Sequence, residues 1–116
     1  MQSKRTDRVA ELLKREISRI IMEEIKDPGI QFVTISKVNI SPDLKSAKIF
    51  YTVLGDLALR ASTHKRLEQA VRFIRSEIGR RLELRYVPEI RFYYDTVADQ
   101  VEKIEGLLGK IKEGQE

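Results

Sequence analysis

The side chains with the most chemical potential here are cations, and they cluster. Arg72, Arg75, Arg80, Arg81, Arg85 and Arg91 all fall between positions 72 and 91. A guanidinium is planar, permanently charged and able to donate two parallel hydrogen bonds, which suits a phosphate. A spacing of three places Arg72 and Arg75 on one flank of a helix. Lys4, Arg5 and Arg8 form a second basic group near the start of the chain. Cations at a helix start oppose the helix dipole, so an external anion would account for them; a frayed basic terminus is the plainer alternative. Lys37, Lys45 and Lys48 flank a predicted hairpin and fit either reading. The bland account of the arginines is a solvated helix face partly neutralised by Glu68, Glu77 and Glu83. Arg81 lies beside an apolar stripe, where a structural role is open.

Catalytic and metal chemistry find less support. Cysteine is absent, which removes disulfides, thiolate nucleophiles and Cys-based metal sites. The one histidine, His64, stands among Ser62, Thr63 and Lys65 and reads as a surface helix residue. Glu23, Glu24 and Asp27 form an acid cluster, yet Asp27 falls at a helix end and Glu24 near an inner face. Asp95, Asp99 and Glu102 would hold Mg²⁺ only weakly, and helix capping explains two of them. Gly106-Leu107-Leu108-Gly109 is a formal Gly-x-x-Gly, but it follows the last strand rather than lying between paired helices, and Leu108 belongs to an apolar stripe, so a weakened helix is expected there. No P-loop, dinucleotide fingerprint or nucleophile elbow is present. The expectation is no enzyme, no metal and no cofactor.

Composition bounds the rest. With 116 residues, 41% of them hydrophobic and 34% charged, the chain has material for one core. Its net charge is +4, and its distribution is uneven. From Asp95 onward three lysines face six acids, net −3, leaving 19 cations against 12 acids, +7, in residues 1–94. A basic body with an acidic tail fits a polyanion partner, with solubility charge as the alternative. No run is apolar enough to span a bilayer and the basic start lacks an apolar signal core, so a cytoplasmic protein is expected.

The elements that must position these groups follow from periodicity. Between Lys4 and Lys26, Val9, Leu12, Leu13, Ile17, Ile20, Ile21 and Ile25 recur three and four apart, predicting an amphipathic helix. Asp27-Pro28-Gly29 ends it. Gln31 to Ile40 is β-branched and predicts a strand, with a change of phase between Ile35 and Val38 that predicts a bulge. Ser41 to Leu44 is a turn, and Ala47, Ile49, Tyr51 and Val53 alternate as a second, antiparallel strand. Gly55-Asp56 breaks it, and the stretch through Ala61 is ambiguous. A helix from about Ser62 to Leu84 follows, with Leu67, Ala70, Val71, Ile74, Ile78 and Leu82 on one face. Phe73 lies off that face; a kink or register change near Arg72 would turn it inward and is the favoured reading, with a partly exposed aromatic as the alternative. Pro88 introduces a third strand through Ile90, Phe92 and Tyr94. Thr96 and Asp99 resemble a capping box for a last helix with the stripe Val97, Val101, Ile104, Leu108 and Ile111. A small mixed sheet with helices on one face satisfies this order. The expected shared core is Leu12, Leu13, Ile20, Ile35, Ile49, Val53, Leu67, Ile74, Ile78 and Phe92.

Three blocks carry a family likeness: Arg8-Val9-Ala10 leading to Glu24-Ile25-Lys26-Asp27-Pro28; Ser41-Pro42-Asp43-Leu44-Lys45-Ser46-Ala47-Lys48-Ile49; and Arg72 to Gly79 through Leu82 to Arg85-Tyr86-Val87-Pro88-Glu89-Ile90-Arg91-Phe92. In this order and spacing the chain resembles the ribosome-binding factor A family of bacteria from about Ser3 to Asp95. The resemblance implies an α+β fold, a KH-like domain of type II topology. Its order would be helix, strand, strand, helix, kink, helix, strand, with a C-terminal helix added. It further implies a non-enzymatic, monomeric factor that binds 16S rRNA within the free 30S subunit. Late maturation, rRNA end processing and growth in the cold are the implied roles, and a maturation GTPase is the implied functional partner.

The family often carries Ala-x-Gly at its helix kink, where this chain has Ala70-Val71-Arg72. Arginine lacks glycine's freedom at positive φ, so a shallower kink, or a phosphate contact by Arg72, is expected. The division expected is residues 1–95 for RNA binding and 96–116 for an amphipathic helix and acidic tail. The RNA-binding candidates are Lys4, Arg5, Arg8, Arg72, Arg75, Arg80, Arg81 and Arg85. A generic KH-type RNA binder, or an interaction module using the last apolar stripe, is the alternative.

Overall fold

The computed structural model describes residues 4–30 and 32–97. Helix α1 spans Lys4–Arg19 and buries Ala10, Leu13 and Ile17 along the stripe that the spacing predicts. It continues into one π-helical turn, Ile20–Glu24, closed by the Ile25 N–H donating to the Ile20 carbonyl at 3.0 Å. Both Ile20 and Ile21 reach the core there. The helical run ends at Glu24, with Ile25 already extended, and the turn that follows is tied by Asp27, whose carboxylate accepts the Gly29 N–H at 2.8 Å and an Arg66 guanidinium N–H at 2.7 Å.

Strand β1, Val33–Ile40, pairs antiparallel with β2, Ser46–Val53, and the register slips between Ile35 and Lys37. That slip is the bulge that the change of phase predicts: it lets Ile35, Val38 and Ile40 all face inward. Strand β3, Glu89–Tyr94, pairs parallel with β2, giving the order β1-β2-β3 with β2 in the centre. A parallel neighbour requires a crossover, and helix α2, Leu57–Leu82, supplies it.

Helix α2 departs from expectation twice. It begins at Leu57 rather than near Ser62, because the Asp56 carboxylate caps it, accepting the Leu59 N–H at 2.8 Å. It also runs unbroken through Ala70-Val71-Arg72. The expected helix-kink-helix is a single helix, and Phe73 stays 44% exposed. The physical reason is local. Only glycine visits other backbone regions freely, Arg72 stands at that position, and positive φ occurs only at Leu44, Gly55 and Glu83 among the described residues. Glu83, at φ 48°, is the left-handed residue that ends the helix.

Of the expected core, Leu13, Ile20, Ile35, Ile49, Val53, Leu67, Ile74, Ile78 and Phe92 are buried and Leu12 is half-buried. Each such aliphatic side chain contributes about 1.5–3 kcal/mol by leaving water. The helix expected over 96–116 lies outside the described residues.

Candidate nucleic-acid interface

One end of the molecule gathers three pieces that are distant in sequence. They are the first turns of α1, the β1–β2 turn and the segment from α2 to β3. The last two are stitched by the Glu89 N–H donating to the Lys45 carbonyl at 2.9 Å, continued by the Ser46–Glu89 register. Between the three pieces lies an open cavity of about 480 Å³, lined by Arg5, Lys45, Arg85 and Tyr86 over an apolar floor that includes Val9, Leu44 and Leu84.

The segment that carries Arg85 and Tyr86 is held from beneath by Arg75. Its guanidinium donates to the Pro88 carbonyl at 3.0 Å and the Val87 carbonyl at 3.1 Å. Tyr86 is 73% exposed, with the Arg85 guanidinium 5.6 Å from its ring centre. Asp43 is the one acid in the lining. The Ser41 hydroxyl and then the Lys45 N–H, at 2.6 and 3.0 Å, hold its carboxyl below the usual range. Three cations against one engaged carboxylate, beside an exposed aromatic ring, can take phosphates and a stacked base.

The structure separates the predicted cations. Lys4, Arg5 and Arg8 are exposed at the start of α1, and Arg72 is exposed on α2; none has an ion pair among the described residues. Arg75 is committed to backbone carbonyls. Arg80 pairs with Glu77 at 2.6 Å. Arg81, with its side chain 20% exposed, joins Glu16 at 3.3 Å, Glu24 at 3.1 Å and Glu77 at 3.4 Å. Burial works against the Arg81 charge, but the carboxylates of Glu16, Glu77 and Glu24 outweigh it and raise its pKa. Arg80 first, then Arg81, holds the Glu77 carboxyl below its ordinary value. Arg81 therefore clamps α2 to α1. The kink positions Ala70 and Val71 are half-buried helix residues.

Of the charged and aromatic residues in the lining, the candidate set leaves out Asp43, Lys45 and Tyr86. Lys45 follows a turn, and Tyr86 is an aromatic between a helix end and a proline, a weak signal of exposure. His64 packs against the core: its Nδ1 is 3.0 Å from the Tyr51 hydroxyl and its Nε2 is 3.6 Å from Glu68. Burial, then the Glu68 charge, pushes the Tyr51 hydroxyl pKa up. Among the described residues no group of His, Asp and Glu is placed to hold a metal ion, and no helix is long and apolar enough to cross a membrane.

The sequence profile described as Ribosome-binding factor A matches residues 5–108 of this chain. The chain belongs to the ribosome-binding factor A family. A ribosome-binding factor A of Desulfitobacterium hafniense is 45% identical over 100% of this chain and 93% of its own length. A Thermotoga maritima protein solved by NMR superposes with a TM-score of 0.70, at 29% identity, covering 80% of this chain and 89% of that one. A homology model of the Thermus thermophilus ribosome-binding factor A, as fitted into the cryo-EM map of a 30S complex, superposes with a TM-score of 0.63 at 21% identity, covering 74% of this chain and 90% of that one. The ribosome-binding factor A members thus share the three-stranded α+β fold described above.

Proposed function

We propose that this chain binds the small ribosomal subunit through its RNA, and that the end groove is a principal contact. The observation that carries the reading is the convergence of Arg5, Lys45, Arg85 and Tyr86 around one cavity. Arg5, Lys45 and Arg85 make no ion pair among the described residues and remain available to phosphate, whereas Arg75 and Arg81 are occupied within the protein. Lys4 and Arg8 extend the same basic end, and Arg72 offers a separate phosphate contact on α2. The fitting of a relative into a 30S complex supports the choice of particle.

The family likeness carries the reading to 16S rRNA in the free 30S subunit, late maturation with rRNA end processing, growth in the cold and release aided by a maturation GTPase. The protein acts as a cytoplasmic monomer, by binding rather than catalysis. Residues 1–95 bind RNA and 96–116 form a separate amphipathic and acidic extension. Sedimentation through a sucrose gradient tests this. The protein should travel with free small subunits and be absent from joined ribosomes; equal occupancy of both would reduce it to a generic RNA binder.

A further inference from the structure

Helices α1 and α2 pack on one face of the sheet. The other face, among the described residues, is open, and its centre is aromatic. Phe50 on β2 and Tyr93 on β3 are register partners whose rings stack with centres 5.7 Å apart and planes 30° apart. Tyr93 is 38% exposed. Polar β-branched residues would satisfy a solvent-facing position in a strand at no apolar cost, as Thr34 and Thr52 do two residues along β2 from Phe50.

Cations surround the pair. The Lys37 ammonium lies 4.6 Å from the Phe50 ring centre and the Lys48 ammonium 5.8 Å from that of Tyr93. Arg91 is the register partner of Lys48 and is exposed. The acids at this face are Glu89 at one edge and Asp95 at the other. The Asp95 carboxylate is taken up by the Ser36 hydroxyl at 2.6 Å and the Val97 N–H at 3.0 Å.

We infer that this open sheet face is a second contact for RNA, and that it takes single-stranded nucleotides whose bases stack on Phe50 and Tyr93 while their phosphates meet Lys37, Lys48 and Arg91. The inference rests on the RNA-binding reading above and adds a surface apart from the end groove. Stacking needs an unpaired base, because a duplex keeps its base faces covered. Removing an aromatic platform residue weakens single-strand binding by roughly five- to a hundredfold. A basic surface serving only phosphate would show no such preference. An acidic peptide would use the three cations but not the rings.

The test compares the chain with the double variant Phe50→Thr/Tyr93→Thr, whose threonines suit a strand at the half-buried Phe50 position and the exposed Tyr93 position. A second variant, Lys37→Gln/Lys48→Gln, keeps both rings, and thermal unfolding checks that each variant folds. The probes are a labelled ten-nucleotide oligoadenylate, an RNA duplex of ten base pairs and a ten-residue polyglutamate. The expected result is at least a tenfold loss of oligoadenylate affinity in the aromatic variant with duplex affinity unchanged, and a loss on both RNAs in the lysine variant. Unchanged oligoadenylate affinity in a folded aromatic variant overturns the inference. So does tight polyglutamate binding that the lysine variant alone abolishes. Small-subunit sedimentation separates the two proposals. If the wild type sediments with small subunits and the aromatic variant binds them equally well, the sheet face fails and the function stands. If the wild type does not sediment with them, the function fails.

Discussion

Arg72 and Arg75 share a flank by spacing, yet the structure gives them opposite roles. Replacing each with Gln should expose the difference. Arg75 makes two charge-assisted hydrogen bonds, to the carbonyls of Val87 and Pro88. Such bonds contribute about 1.5–3 kcal/mol each where water is excluded. Here water can rehydrate part of the freed segment, so the loss for Arg75→Gln should be about 2 kcal/mol in all. For a chain of this length 1 kcal/mol moves the melting temperature by about 4 °C, between the values for smaller and larger domains. Arg75→Gln should therefore melt about 8 °C below the wild type. Arg72 is exposed with no partner among the described residues. Its replacement should stay within about 0.5 kcal/mol, or roughly 2 °C. Circular dichroism melts of the three proteins at one salt concentration make the comparison. Equal melting of the two variants would refute the role given to Arg75 as the support of the Arg85–Tyr86 segment.

Two further perturbations test the frame. Gly55 has φ +156°, and a Cβ there would meet the Leu59 side chain, including its Cβ at 3.2 Å; Gly55→Ala should cost about 1–3 kcal/mol, read from urea unfolding. Asp27 and Asp95 have lowered pKa values, set chiefly by the Gly29 N–H and then Arg66 for Asp27, and by the Ser36 hydroxyl and then the Val97 N–H for Asp95. Lowered carboxylates stabilise the fold above their unfolded pKa, and that stability is lost as pH falls through the folded value. The melting temperature should hold from pH 7 to 5 and drop below about pH 4, with a smaller drop in Asp27→Asn.

Periodicity made the frame legible. The stripe of α1, the phase change between Ile35 and Val38 and the alternation of β2 each correspond to an observed feature. The start of α2 was hidden because residues 57–61 are mostly exposed, and their helix rests on the Asp56 cap rather than on a buried stripe. The expected kink was an inference from Phe73 and the family's glycine. With Arg72 in that place the helix runs unbroken and the ring remains partly in water.

The fate of the arginines was less legible still. A helical wheel shows where a guanidinium leaves the helix, not what meets it. Arg81 meets Glu16 and Glu24, 65 and 57 residues away in sequence, and Arg75 meets carbonyls 12 and 13 residues ahead. The end groove and the aromatic sheet face are likewise products of assembly: a turn, a helix start and a connecting segment for one, two strands brought parallel for the other.

The most direct test of the central claim is a salt titration of binding to purified small ribosomal subunits, with the wild type set against Arg5→Gln/Lys45→Gln/Arg85→Gln. Each phosphate contact contributes roughly 0.7–0.9 to the slope of log affinity against log salt. If the end groove grips the subunit's RNA, the triple variant should show a slope flatter by roughly two to three units, with its melting temperature little changed. A slope equal to that of the wild type would contradict the account, because the three cations would then be touching no phosphate.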